Sequence, residues 1–163
     1  MGGENHRAEM KNHHHFVVRR TATGLGLFTE KPIRRGDFVI EYTGKLIPNS
    51  ATERMKGRYL FQVNSRWTVD GAGRENLSRY INHACKPNCQ AFIRKMRILI
   101  YAKRNIAAGE ELSYDYGREY FDEFIRPEGC RCDTCAARQV PAPASRAERS
   151  ALRSGHSSAV IAK

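Results

Sequence analysis

The chain of 163 residues is 40% hydrophobic and 28% charged, with a formal net charge of +11 at pH 7. That length suits one domain burying about two-thirds of its unfolded surface, and the sequence has no run of about 18 apolar residues that could span a membrane. Met1 to His15 lacks the apolar stretch of a secretory signal, and His6 stands where a myristoylation motif requires Ser or Thr.

The positive charge is partly terminal. Residues 138–163 carry Arg138, Arg146, Arg149, Arg153 and Lys163 against Glu148, a net +4 that leaves +7 for the rest. Such a surface favours polyanions such as nucleic acid, although charge alone is not a site. The five cysteines are odd in number and accompany no secretion signal, which argues for reduced thiols or metal ligands over a disulfide framework.

In chain order, residues 1–15 read as a polar, flexible leader, with His13, His14 and His15 as part of it. Phe16 to Arg20 is a β-branched strand. The glycines of Thr23-Gly-Leu-Gly26 bring backbone where it can approach a ligand, but no third glycine or helix follows to make a dinucleotide fingerprint. After a turn at Lys31 to Gly36, a strand runs from Asp37 to Gly44. Residues 49–57 suit a helix of about two turns capped by Asn49 or Ser50. Tyr59–Val63 and Trp67–Asp70 are short strands, Leu77 to Ile81 suits one tight helical turn, and Ala91–Ile93 with Arg97–Ala102 form a hairpin about Arg94-Lys95. Many short strands between turn signals argue for a mostly β domain without a parallel βαβ plan. Past Cys135, Val140 to Ser145 reads as a linker. Residues 146–163 form a small-residue, basic, flexible tail in which a short helix from Ser145 to Leu152 would have little to pack against.

Two stretches concentrate the chemistry. Ser78 to Gln90 packs Asn82, His83, Cys85, Pro87 and Asn88 into seven residues, a density that suits a rigid loop. Glu110 to Tyr116 puts Tyr114 and Tyr116 on one face of an extended segment. Downstream, Cys130-Arg-Cys-Asp-Thr-Cys135 gathers three thiols, and a tetrahedral zinc site needs a fourth, from Cys85 or Cys89. No thioredoxin-like βαβ context surrounds the Cys-x-x-Cys to suggest a redox role.

The first two stretches together resemble the signature motifs of SET-domain protein-lysine methyltransferases, Asn-His-x-Cys-x-Pro-Asn and Glu-Leu-x-x-Asp-Tyr. The resemblance covers about residues 16–135. It implies a β-rich fold of small sheets with short helices, a C-terminal pseudoknot, and a zinc-bound post-SET segment. The expected layout is a SET domain at 16–118, the post-SET zinc segment at 119–137 and the basic tail at 138–163. No cysteine-rich pre-SET segment precedes it, the insert between Tyr42 and Asn82 is short, and no aromatic follows Cys135 to cover the cofactor.

The resemblance further implies S-adenosyl-L-methionine as methyl donor, contacted by Thr23, Gly24, Leu25, Gly26, Tyr59, Asn82 and His83, with Arg131 close by. Tyr116 matches the catalytic tyrosine that orients the amine. Tyr42, Phe61 and Tyr114 would line the lysine channel, Tyr114 standing at the phenylalanine/tyrosine switch that limits methyl number. One structural Zn2+ would be held by Cys85, Cys130, Cys132 and Cys135, although Cys132 and Cys135 are two residues apart where the family pattern has four. Cys89 is left as a buried or free thiol.

The implied reaction is methyl transfer to a lysine amine in a basic protein tail, with histone the foremost substrate. The runner-up is a non-catalytic SET-like module that binds chromatin or nucleic acid by charge. A histone-modifying chain works in a nucleus, on chromatin, whereas a microbial one would be cytoplasmic or exported to a host cell. Between Tyr116 and Cys130, Glu119, Asp122, Glu123 and Glu128 interleave with Tyr120, Phe121 and Phe124. This predicts an acidic wall for a basic peptide, with the tail after Arg138 free to contact nucleosomal DNA.

Overall fold

The computed structural model describes residues 15–139 apart from Glu53 and Lys56. The expected leader up to residue 14, the linker, the basic tail from residue 140 and the helix at Ser145 to Leu152 lie outside the described residues. Short strands dominate: β1 (Phe16–Thr21), β2 (Gly24–Thr29), β3 (Phe38–Tyr42), β4 (Lys45–Pro48), β5 (Leu60–Gln62), β6 (Trp67–Asp70), β7 (Asn82–His83), β8 (Cys89–Arg94), β9 (Arg97–Ala102) and β10 (Ser113–Tyr114). The helical pieces are α1 (Asn49–Thr52), a 3-10 turn at Leu77–Tyr80, α2 (Arg118–Tyr120) running into a π turn (Phe121–Ile125) and a 3-10 turn (Arg126–Glu128), and α3 (Asp133–Gln139). The mostly β fold expected from the sequence is the one found. Among the described residues no helix is long and apolar enough to cross a membrane.

The strands form four small sheets: β1-β2, β10-β7, β3-β9-β8 and β4-β6-β5. Alternation decides which face each buries. In β9 and β3, Ile98, Ile100, Ala102 and Val39 turn inward and meet Leu27, Ile33, Ile81, Ile106 and Leu112 in one core. Each fully buried aliphatic side chain of this kind contributes about 1.5–3 kcal/mol.

Three local departures from the sequence reading have physical causes. The helix expected over 49–57 is described only as α1. It buries no residue and has nothing apolar to hold it. Asn49 instead uses its side chain to stitch strands, donating from Nδ2 to Asn64 O at 3.0 Å and accepting from Thr68 Oγ1 at 2.7 Å. Strand β4 was not foreseen. It exists because Gly44 lets the chain pass against the Asp70 carbonyl, where a Cβ would collide, and then pairs Lys45 through Pro48 with β6. The β8–β9 turn sits on Lys95 and Met96, one residue later than expected, with φ of 48° and 64°. Glycine and asparagine favour that left-handed geometry. Here Met96 is anchored instead, packing on the core and accepting from Asn64 Nδ2 at 3.2 Å.

One buried residue joins the two motif stretches. Asn88 is 2% exposed. Its Nδ2 donates to Glu111 O at 2.7 Å, and its Oδ1 accepts from Ser113 N at 2.8 Å. Each of these backbone groups left unpaired would cost about 1–3 kcal/mol. The segment 110–114 is thereby laid against earlier chain on both sides. Leu112 N donates to Leu27 O at 2.8 Å on one side, and β10 runs parallel to β7 on the other.

Candidate active site

That junction floors an open cleft of about 1030 Å³. Tyr42, Phe61, Tyr114 and Tyr116 line it, as do Thr23, Gly24, Leu25, Tyr59, Asn82, His83 and Arg131, so residues far apart in sequence converge. Gly26 does not reach the cleft wall. It is buried one step behind, where a Cβ would strike the Glu111 carboxylate. That carboxylate accepts from Asn82 Nδ2 at 2.8 Å, and the same Nδ2 donates to Leu25 O at 3.1 Å. Asn82 therefore fixes the backbone of β2 where it borders the cleft. Glu111, which sequence reasoning passed over, is the acceptor that orients it.

The opening residue of β2 fits a close ligand approach. Gly24 has φ +120°, a conformation L side chains rarely adopt, and the space a Cβ would take is open. Leu25 beside it is 47% exposed to the cleft.

Aromatic rings run along the cleft in a continuous series. Centroid separations are 5.5 Å for Tyr42–Phe61, 6.2 Å for Phe61–Tyr114, 4.9 Å for Tyr114–Tyr116, 4.9 Å for Tyr116–Tyr120 and 4.7 Å for Tyr120–Phe124. Tyr120, one of the aromatics interleaved with the acids after Tyr116, belongs to this series. It stacks edge-on to Tyr116 because Gly117, with φ +87°, turns the chain at the start of α2 and brings the helix back beside Tyr116. Two hydroxyls are pinned: Tyr42 donates to Tyr59 O at 2.8 Å, and Tyr116 donates to Ile81 O at 2.7 Å. Burial, then the neighbouring phenols Tyr120, Tyr42 and Tyr59, hold the Tyr116 hydroxyl well above the ordinary phenol range, so it stays protonated at neutral pH. Burial raises Tyr114 in the same direction.

Arg79, also unforeseen, lies in this wall. Its guanidinium stacks 4.1 Å over the Tyr59 ring and donates to Ala72 O. His83 bridges two parts of the site. Its Nδ1 accepts the Tyr116 backbone N–H at 3.3 Å, so the neutral ring carries its proton on Nε2, which faces Cys85 Sγ at 3.6 Å. Burial pushes the His83 pKa down, against the opposing pull of Asp115, and favours that neutral form.

The cysteines meet a test of metal geometry. Cys85 Sγ lies 3.8 Å from Cys130 Sγ and 3.6 Å from Cys135 Sγ, and the four ligand atoms of Cys85, Cys130, Cys132 and Cys135 all fall within 4.8 Å of one another. Tetrahedral zinc with Zn–S bonds of about 2.3 Å needs sulfurs about 3.8 Å apart. Burial opposes ionisation of Cys132, yet hydrogen bonds from the Cys85 and Cys135 backbone and from the Cys130 and Cys135 thiols bring it down to about 7. Burial, with thiol hydrogen bonds inside the cluster, holds Cys85 and Cys130 above the ordinary thiol range, so a bound metal would have to ionise those two. The short Cys-x-x-Cys spacing is accommodated because α3 starts between Cys132 and Cys135 and returns the second thiol by one turn. Cys89 is 1% exposed inside β8, and burial lifts its pKa to about 12.

Of the four acids after Tyr116, Glu119, Glu123 and Glu128 border the cleft. Asp122 does not join them. It is held by Arg126 at 2.6 Å and by Arg118, itself at the cleft border, at 3.7 Å.

The sequence model described as "SET domain" matches residues 24–117. The chain is 37% identical over 131 residues to Histone-lysine N-methyltransferase trithorax of Drosophila virilis, covering 73% of this chain and 3% of that protein. It is 42% identical over 115 residues to Histone-lysine N-methyltransferase, H3 lysine-4 specific, of Schizosaccharomyces pombe, covering 63% and 12%. Among solved structures, Chaetomium thermophilum Polycomb Repressive Complex 2 (ctPRC2), in an autoinhibited conformation bound to S-adenosylmethionine, superposes with a TM-score of 0.58 at 38% identity, covering 64% of this chain and 15% of that one. The chain thus spans a small part of the length of the relatives it matches.

Proposed function

The chain belongs to the SET-domain family, and on that premise we propose that it transfers a methyl group from S-adenosylmethionine to the side-chain amine of lysine in a basic protein tail, with histone as the substrate. The observation that carries the reading is the Tyr116 hydroxyl, pinned within a series of rings along a cleft bordered by Gly24, Leu25, Asn82 and His83. Relatives named as histone-lysine methyltransferases support the substrate class and a nuclear, chromatin setting.

S-adenosylmethionine, when bound, supplies an electrophilic methyl on a sulfonium. Gly24, Leu25, Tyr59, Asn82, His83 and Arg131 would hold it, with β2 offering backbone where side chains are small or absent. The lysine must arrive neutral although its free pKa is about 10.4. Tyr42, Phe61 and Tyr114 strip water from the amine, and desolvation favours the uncharged form. Tyr116 keeps its own proton on Ile81 O, which leaves its oxygen lone pairs to accept from the amine N–H and aim the nitrogen. Tyr116 is thus an orienting acceptor and not the base; the amine's proton leaves to solvent before the passage closes around it. Cys85, Cys130, Cys132 and Cys135 would hold one zinc ion, with a structural role.

A hydroxyl at Tyr114 takes up room and can hold water where further methyl groups must sit. Mono- and dimethyl-lysine are the expected products, and Tyr114→Phe is expected to shift them toward higher states. Mass spectra of product peptides check this; predominant trimethylation by the unaltered chain contradicts it.

Glu119 and Glu123 sit one helical turn apart beside the cleft and supply local negative charge within the roughly 8–10 Å over which salt permits attraction. Reversing both to lysine is expected to raise KM for a free histone peptide several-fold, most at low ionic strength. Reversing Asp122 instead, already neutralised by two arginines, is expected to have the smaller effect. The same kinetics at low and high salt check both. The basic tail of residues 138–163 would contact nucleosomal DNA. Labelled methyl transfer to histone lysine tests the function as a whole.

A further inference from the structure

A second surface lies on the side of the β3-β9-β8 sheet away from the core. Directly paired residues share a face. Phe38 opposes Tyr101, Gln90 opposes Tyr101, Phe92 opposes Leu99 and Arg94 opposes Arg97, all on the side opposite the core-facing Ile98, Ile100 and Ala102. The rings form an edge-to-face row, with centroids 5.6 Å apart for Phe38–Tyr101 and 5.7 Å for Phe92–Tyr101. Phe92 is 40% exposed. Beside the row lies a depression of about 470 Å³ lined by Arg35, Gln90, Phe92, Arg94, Tyr101 and Lys103.

Charge on this face is one-sided. The only acid in the three strands is Glu41, and Arg97 engages it from Nε at 2.9 Å. Among the described residues, Arg35, Arg94 and Lys103 have no carboxylate within ion-pairing distance. All three are exposed. One exposed ring, Phe92, backed by the half-buried Tyr101 and set among unpaired cations, suits a partner that offers flat π faces and regularly spaced negative charge. Duplex DNA offers the charge but hides its base faces; an acidic peptide offers the charge without regular flat rings. Single-stranded nucleic acid offers both. We propose that this face binds single-stranded nucleic acid, with phosphates at Arg35, Arg94 and Lys103 and a base stacked on Phe92 beside Tyr101. The surface shares no residue with the cleft, so the inference is independent of the methyl-transfer reading.

Fluorescence anisotropy of the full chain with a labelled single-stranded oligothymidine tests it. Expected are tighter binding than to a matched duplex and a loss on Phe92→Ala of roughly 5- to 150-fold, the range of one base-stacking contact. Arg94→Gln and Lys103→Gln, surface changes that leave the fold intact, are each expected to flatten the log–log salt slope by about 0.7. Methyl transfer to a free peptide should be unchanged in all three. A chain with Arg146, Arg149 and Arg153 changed to glutamine should keep the Phe92-dependent part of binding, which separates this face from the tail. Equal affinity for duplex, or unchanged binding by Phe92→Ala and Arg94→Gln, would overturn the proposal. So would Phe92-dependent binding of a polyglutamate peptide without binding of the oligonucleotide, since the face would then be a protein-docking surface.

Discussion

Tyr116→Phe is expected to lower kcat for methyl transfer by about 10²–10³-fold, the cost of removing one oriented polar group from a reacting centre. The Kd for S-adenosylmethionine should stay nearly unchanged. The substitution keeps the ring, so the edge-on contacts with His83 at 5.6 Å and Tyr120 at 4.9 Å remain. What disappears is the hydroxyl that donates to Ile81 O at 2.7 Å and turns its lone pairs to the cleft. Leaving that carbonyl unpaired costs about 1–3 kcal/mol of stability, not enough to unfold a domain with an intact core. Single-turnover rates beside calorimetric cofactor binding separate the two effects. A variant that turns over normally removes Tyr116 from the orienting role.

The second large effect concerns the metal. Cys132→Ser is expected to abolish zinc binding and with it most activity. Among the described residues, the segment from the Pro127 turn through α3 buries little, with Cys132 its one member in the buried set. Metal ligation, worth about 10–16 kcal/mol in small structural zinc sites, is what can hold it closed. Losing it frees Arg131 from the cleft wall and takes away the thiolate faced by His83 Nε2, whose other nitrogen receives the Tyr116 N–H. The damage should therefore appear both in cofactor affinity and in kcat. Metal analysis is the direct check: one zinc per unaltered chain, none in Cys132→Ser, and full zinc in Cys89→Ser. Retention by Cys85→Ser with loss by Cys89→Ser contradicts the ligand set.

These expectations rest on residues that were legible to different degrees. The motif residues were readable because their chemistry is dense and local. Asn82, His83, Cys85 and Asn88 fall within seven residues, on β7 and the turn after it, and Asn82 and His83 line the cleft. Strand β9 was readable from its Ile-Leu-Ile-Tyr run and β8 in part from Phe92 and Ile93. Strand β4 was not. It holds two charged or proline positions in four, and it becomes a strand through the close approach at Gly44 and a partner strand that begins only at Trp67. The parallel pairing of β7 with β10 rests on two residues each, too few to leave a periodic signal. Glu111 looked like an acid on a strand; only the backbone approach at Gly26 makes it the partner of Asn82. The split among the acids after Tyr116 follows from the helical turn, which brings Glu119 and Glu123 to the cleft border while Asp122 pairs with Arg118 and Arg126.

The measurement that bears most directly on the central claim is incubation of the purified chain with methyl-labelled S-adenosylmethionine and mixed core histones, followed by fragmentation of the labelled protein. The account predicts label on the side-chain nitrogen of a lysine in a basic tail, and none with Tyr116→Phe. A zinc-loaded, folded chain that binds S-adenosylmethionine yet places no label on any histone lysine would contradict it.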